Sequence, residues 1–305
     1  MFISNTPEVT HRLPIILVHG IARFDWLHEG YRKLFPQSGE HPKDRSHYFR
    51  NVATQLKSHG YDTYHASLSY AKRSEQRAVE LGEQIAQIRE QTGARQVHLL
   101  AHSMGGIDAR RLIVTHPAIA ETIASLTTIG TPHWGSSLAD WGLAHGGLHL
   151  IDLSQPLIDL SGFNDLTLVA CAEFNQQAET IEAANSIRYR ACASHASRQD
   201  TLLPLRPTWD IVHKNEGEND GLVSVKSQLW TKELHCSTVI RKPVEQIEFP
   251  FPADHFNQTG WWDPSKRDRD KSLTEITDSI SIFEDKIRQM YLDLVRSVVD
   301  NPSTS

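Results

Sequence analysis

Two hydrophobic rhythms alternate along the first part of the chain. Pro14-Ile15-Ile16-Leu17-Val18 is a short apolar run rich in β-branched residues, the pattern of a strand buried on both faces of a parallel sheet. Helical spacing follows over Tyr48 to Ser58, closed by Gly60, and strand character returns around Asp62 to Leu68. Ser74 to Gln91 predicts a helix with Ala78, Leu81, Ile85 and Ile88 on one face and Gly93 as its stop. An apolar strand beginning at Val97 meets Ser103 and gives way to a helix over Gly106 to Thr115, halted by His116-Pro117. A further strand over Leu126 to Ile129 ends in Gly130-Thr131-Pro132-His133. Strands and helices alternating at this spacing predict an α/β protein, a mostly parallel sheet with helices on both faces.

The rhythm breaks between Ser137 and Ala184. That stretch shows no strand pattern but is dense in leucine and isoleucine, including Leu150, Ile151, Leu153, Leu157, Ile158, Leu160 and Leu166, and it is punctuated by Gly146-Gly147, Pro156 and Gly162. It is expected to be a helical insert. Strand character returns at Ile187 to Ala193 and Gln246 to Phe251. From about 272 to 299, Leu273, Ile276, Ile280, Phe283, Ile287, Tyr291, Leu294 and Val298 recur in steps of three and four, which predicts an amphipathic helix. A packed surface helix and a partner or membrane face both fit that spacing.

At 305 residues, 39% hydrophobic and 22% charged, the chain is expected to be one domain over 1–305. A net charge of -6 offers no basic face for nucleic acid. Cys171, Cys192 and Cys236 are too few for a disulfide framework, and the apolar surroundings of Cys171 and Cys192 read as those of buried free thiols. The N-terminus has neither a basic start nor an apolar signal region, and no run has the apolar length of a transmembrane segment. A cytoplasmic location is therefore expected, with export by a signal-less route left open.

Candidate chemistry centres on Val97-His98-Leu99-Leu100-Ala101-His102-Ser103-Met104-Gly105-Gly106. A serine at a tight strand-to-helix turn projects its hydroxyl out of the backbone, and small neighbours leave room for the bend. The following helix aims free N–H groups at the same place. The usual G-x-S-x-G pattern has Ala101 at its first position here. A serine needs a base to take its proton, an acid to orient that base and donors for the oxyanion. The α/β-hydrolase order Ser, Asp or Glu, His is available as Ser103, then Asn219-Asp220-Gly221-Leu222-Val223-Ser224, then Phe251-Pro252-Ala253-Asp254-His255-Phe256. Asp210 and Asp254 are rivals to Asp220 for the acid. His102 reads as a packing or hydrogen-bonding neighbour of the nucleophile, and His133 as part of the pocket floor.

Five collinear stretches carry a resemblance: Leu17-Val18-His19-Gly20, Ala101 to Gly106, Thr131-Pro132-His133-Trp134-Gly135-Ser136, Asn219 to Val223, and Asp254-His255. Together the chain resembles the bacterial triacylglycerol lipases of the α/β-hydrolase superfamily, in the group of the Pseudomonas and Burkholderia enzymes; Ala101 is similar to the Ala-x-Ser-x-Gly variant of some Bacillus lipases. The resemblance implies Ser103 as nucleophile, His255 as general base and acid, Asp220 as orienting carboxylate, and the backbone N–H groups of Ile21 and Met104 as oxyanion hole. It implies hydrolysis of carboxylic esters, acylglycerols above all, with no organic cofactor. It also suggests a structural calcium with Asp200 as one ligand and Asn257 at a second position, though a neutral Asn257 weakens the charge that calcium prefers. Asp200 equally suits the cap of a turn. The insert at about 137–184 falls where this family carries its lid, and a lid implies transient contact with a lipid surface; an ordinary packed cap is the other reading. A short-chain carboxylesterase or an acyltransferase would use the same residues. A non-catalytic binding protein on the same fold would be expected to have lost one of them.

Overall fold

The computed structural model describes residues 12–21, 44, 47–145, 161–237, 240–261 and 273–300. The expectations resting on Gly146-Gly147 and on Leu150 to Leu160 lie outside those residues.

Strands β1 (Ile15–Val18), β2 (Thr63–His65), β3 (Val97–His102), β4 (Ile123–Ile129), β5 (Arg188–Ala193), β6 (Glu233–His235) and β7 (Arg241–Glu248) form one sheet in the order β2-β1-β3-β4-β5-β7-β6. All pairings are parallel except that of β6 with β7. Among the described residues the helices are α1 (Val52–Ser58), α2 (Ser74–Thr92), α3 (Met104–Thr115), α4 (Pro117–Ala120), α5 (Ser137–Ala144), α6 (Leu168–Ala184), α7 (Arg206–Glu216), α8 (Val225–Gln228) and α9 (Leu273–Val299).

The two-residue period of a strand explains the layering. Ile16, Val18, Leu99 and Ala101 face a core closed by Leu81 and Ile85 of α2 and by Leu112 of α3. Ile15, Leu17 and Leu100 face the opposite core, closed by Leu56 of α1 and by Ile287, Tyr291 and Leu294 of α9. The amphipathic C-terminal helix is thus a wall of the core. No helix among the described residues is long and apolar enough to cross a membrane.

Several boundaries shift for physical reasons. The helix expected from Tyr48 starts at Val52, because Asn51 adopts a left-handed backbone with φ of 58° and Tyr48 and Phe49 turn into the core. The strand expected at Gln246 starts at Arg241, where its solvated alternation hides it from an apolar search. The helix after Ser103 starts at Met104, so the serine stands at the N-cap. Between Ser137 and Ala184 the described residues carry no strand, but the insert is not uniform. Helix α6 is anchored to α3 by a fully buried ion pair, with Arg110 Nε and Nη2 donating to Glu182 at 2.8 and 2.9 Å. Asn175 of α6 also donates to the His133 carbonyl at 2.9 Å.

Candidate active site

The strand β3 ends where the sheet's C-terminal edge opens, and Ser103 occupies the turn into α3. Its φ is 57° and its ψ -134°, a strained conformation for a residue with a side chain. Three contacts hold it. The Ser103 N–H donates to the Ile129 carbonyl at 2.9 Å, the Ser103 carbonyl accepts from Thr131 Oγ1 at 2.8 Å, and the Gly106 N–H donates to the same carbonyl at 3.0 Å. Gly105 permits the close approach of α3 to β1, since a Cβ there would meet the His19 carbonyl oxygen at 2.7 Å.

Ser103 Oγ lies 2.9 Å from His255 Nε2, and His255 Nδ1 lies 2.7 Å from Asp220 Oδ2. The loops that carry the last two residues, some 35 positions apart, are also joined by backbone, with the His255 N–H donating to the Asp220 carbonyl at 2.8 Å. A carboxylate can only accept, so Nδ1 carries the proton in a neutral imidazole and Nε2 accepts from the serine hydroxyl. This is the polarity that serine attack needs. Leu222 and Val223 N–H groups hold the other oxygen of Asp220 at 3.0 and 2.8 Å.

The two rivals for the acid are engaged elsewhere. Asp210 is on the surface in a forked pair with Arg198, with Nε at 2.7 Å, and that partner holds its carboxyl below the usual range. Asp254 is a buried clasp: Oδ1 accepts from the N–H groups of Phe256 and Asn257, and Oδ2 from that of Leu202.

Met104 is the first residue of α3, where N–H groups have no intrahelical acceptor. Ile21 lines the pocket beside Ser103. The loop carrying Ile21 is held from below by Arg77 of α2, a residue the motif search does not reach. Its Nη2 donates to the carbonyls of His19 and Gly20 at 3.0 and 2.8 Å, while Nε donates to Asp108 at 2.8 Å. Both charges are fully buried, and burial raises Asp108 to about 7. Because the peptide is planar and trans, turning the Gly20 carbonyl down to Arg77 turns the Ile21 N–H the other way.

The pocket above Ser103 has a volume of about 330 Å³ and apolar walls, including Leu138, Phe163, Leu166, Leu205, Val223 and Phe256. His133 is not on its floor. The ring is fully buried, stacked on Trp230 at 4.7 Å and bonded to Thr128 Oγ1 at 2.9 Å, and burial beside Arg110 holds it far below the ordinary histidine range.

The two residues implied as calcium ligands do not form a cage. Asp200 Oδ2 accepts from Ser197 Oγ at 2.7 Å within its own turn, and Asn257 Nδ2 donates to the Trp261 carbonyl at 2.8 Å. No cluster of three His, Cys, Asp or Glu side chains fit to hold a metal occurs among the described residues. This donor set does not match the several hard, anionic oxygens that calcium takes. The cysteines are free, and burial pushes Cys171 and Cys192 up to about 12, far from nucleophilic.

Residues 14–208 match the alpha/beta hydrolase fold family. The chain is similar to a triacylglycerol lipase of Vibrio cholerae, with 29% identity over 262 residues covering 75% of this chain and 76% of that protein. It is 36% identical over 133 residues to a triacylglycerol lipase of Pseudomonas fragi, covering 44% of this chain and 39% of the relative. A Burkholderia plantarii triacylglycerol lipase is 34% identical over 133 residues, covering 43% of this chain and 32% of the relative. The last two matches span well under half of those proteins. Among solved structures, a metagenomic carboxyl esterase superposes with a TM-score of 0.63 at 21% identity, covering 96% of this chain and 77% of that one. The mature form of a Bacillus licheniformis lipase gives 0.57 at 20% identity, covering 81% and 86%. At those identities the likeness is one of fold.

Proposed function

The chain belongs to the alpha/beta hydrolase fold family, and from that premise we propose that it hydrolyses carboxylic esters through an acyl-enzyme on Ser103, with triacylglycerols as its substrates. One observation carries the reading: Ser103 Oγ stands 2.9 Å from His255 Nε2 at the base of an apolar pocket of about 330 Å³. In the reaction, Oγ bonds to the ester carbonyl carbon as Nε2 takes its proton. The carbonyl oxygen becomes an oxyanion that accepts from the Ile21 and Met104 N–H groups. Asp220 holds the imidazolium in place without taking its proton. As the tetrahedral intermediate collapses, the C–O bond to the alcohol breaks and Nε2 returns the proton to the leaving oxygen. Water then repeats the sequence on the acyl-enzyme, with His255 again as base, and releases the fatty acid. The apolar walls accept an acyl chain and exclude water from the reacting carbonyl, which strengthens each hydrogen bond to the oxyanion.

A short-chain carboxylesterase is the second reading, favoured by the anchoring of α6. A cap helix fixed to the core suits a soluble ester, which needs no lipid surface to uncover the pocket. Hydrolysis of tributyrin and of emulsified triolein by purified protein separates the two. Triolein turnover that Ser103→Ala abolishes supports the lipase; tributyrin turnover alone supports the esterase. Turnover of neither overturns both.

A further inference from the structure

Asp220 Oδ2 is shared by two donors, and one of them has no part in the proton transfers just described. Gln258 Nε2 lies 2.8 Å from it, and His255 Nδ1 lies 2.7 Å from the same oxygen. We propose that Gln258 is the positioning residue that sets Asp220 against His255 and ties it, through His102 and Tyr48, to the oxyanion loop; this rests on the reading of Ser103, His255 and Asp220 as the catalytic set.

Chemistry assigns every donor in that connection. Since a carboxylate only accepts, the Gln258 atom beside Asp220 is its amide nitrogen, and the atom 2.8 Å from His102 Nε2 is the amide oxygen. That oxygen also only accepts, so His102 Nε2 carries a proton. Burial and the nearness of His255 hold His102 well below the ordinary histidine range, so the ring keeps a single N–H. Its Nδ1 therefore accepts from the Tyr48 hydroxyl at 2.7 Å. The Tyr48 hydroxyl packs against Gly20, next to Ile21, where a Cβ would lie only 2.6 Å from it. A directed chain runs from Tyr48, packed against the oxyanion loop, to the carboxylate, through the residue that precedes the nucleophile.

The amide is fixed as well as paired. Its second hydrogen goes to Ser194 Oγ at 2.7 Å, and that hydroxyl donates to the Ala253 carbonyl at 2.7 Å. Gly130, with φ of 58°, leaves it room, since a Cβ there would overlap the amide oxygen. Two consequences follow for catalysis. The carboxylate has no freedom to swing away as the imidazolium forms. His102, whose ring centroid is 4.5 Å from that of His255, is kept from becoming a second cation beside it. The titratable groups facing the pair are His102 from β3, Tyr48 from the segment before α1, and Tyr291 from α9, whose hydroxyl donates to the Gln258 carbonyl at 3.1 Å; Arg77 is the charge felt at Tyr48.

The test is Gln258→Leu, with Tyr48→Phe as the milder variant, read by kinetics on a soluble p-nitrophenyl ester and by proton NMR of protein labelled with nitrogen-15 at histidine. Gln258→Leu is expected to lower kcat about tenfold to hundredfold with KM little changed, the cost of a displaced catalytic group. A carboxylate relieved of one donor attracts the imidazolium proton more strongly, so the acid limb of kcat/KM moves to higher pH. For the same reason the His255 Nδ1–H resonance moves further downfield, and the His102 Nε2–H resonance is lost. Tyr48→Phe should shift the His255 resonance in the same direction by less. A folded Gln258→Leu protein with an unmoved resonance and acid limb overturns the proposal. If that variant does not fold, an unmoved resonance in Tyr48→Phe does so. A wild type without Ser103-dependent turnover would instead remove the functional reading, while the NMR comparison still decides whether Gln258 positions Asp220 on His255.

Discussion

The floor and the rim of the pocket are built on opposite terms. On the floor, Ser103, His255, Asp220, Gln258, His102 and Tyr48 are all buried, and each polar atom used there meets a named partner. Close in sequence to the pocket walls, in what we take as its rim, Leu143, Leu168, Val169 and Leu203 are large apolar side chains left exposed, Val169 at 65%. They neighbour the wall residues Ala139, Leu166 and Pro204 in sequence or by one helical turn. Preorganised dipoles act strongly only where water is excluded and nothing has to reorganise. A chain of methylenes asks for area and has no direction to respect. On the proposed reading, the floor fixes the chemistry, and the rim is where an apolar substrate would be gathered to it.

The sharpest way to break that division is on the floor. Ser103→Ala should lower kcat on any ester by a factor on the order of 10⁴ to 10⁶ while the protein melts as before, because nucleophile and base act as a unit. Retention of more than about a tenth of the activity in a folded protein would remove Ser103 from the role.

Asp220→Asn comes next. The amide reverses the donor and acceptor pattern at His255 Nδ1, favours the wrong tautomer and should cost about 10⁴-fold in kcat. Asp210→Asn should leave kcat near the wild-type value, because that carboxylate lies on the surface with Arg198. The opposite pattern in the same assay would transfer the orienting role to Asp210.

A third contrast lies within the insert. Glu182→Ala leaves Arg110 buried without its carboxylate and should cost about 3 to 5 kcal/mol of stability in denaturant unfolding. A loss under about 1 kcal/mol would mean that α6 is not anchored as described. Activity per folded molecule should change little, since neither residue touches the ester pocket.

How much of this was legible in the sequence follows the same division between local and distant. Strands β1, β3 and β4 and the turn at Ser103 are written in contiguous residues, so an apolar run and a few small side chains suffice. Strand β6 and the start of β7 are short, solvated and antiparallel, and carry no apolar run to find. Ser103, Asp220 and His255 stand out because each sits in a motif at the end of a strand. Gln258 and Tyr48 do not, since their partnerships with His102 span 156 and 54 positions and only the folded sheet brings them together. Arg77 is hidden for the same reason, as a helical arginine looks solvated until its place beneath the Gly20 carbonyl is known. The adjacent His102 and Ser103 show the limit of reading by neighbourhood. The residue beside the nucleophile braces the acid, while the base comes from 152 positions away.

The smallest expected effect tests the rim itself. Val169→Ser or Leu203→Ser removes an apolar group that is more than half exposed, so stability should change by under about 0.5 kcal/mol. If the rim gathers lipid, each substitution forfeits part of a side chain's burial against the substrate, about 1 kcal/mol, and raises the apparent KM for emulsified triolein about fivefold. The same variants should hydrolyse a soluble butyrate ester with unchanged kcat and KM, because neither Val169 nor Leu203 lines the pocket around Ser103. Equal loss on both substrates would show that these side chains shape the pocket and not its approach. No loss on either would leave the rim without a part in substrate capture and move the short-chain esterase ahead of the lipase.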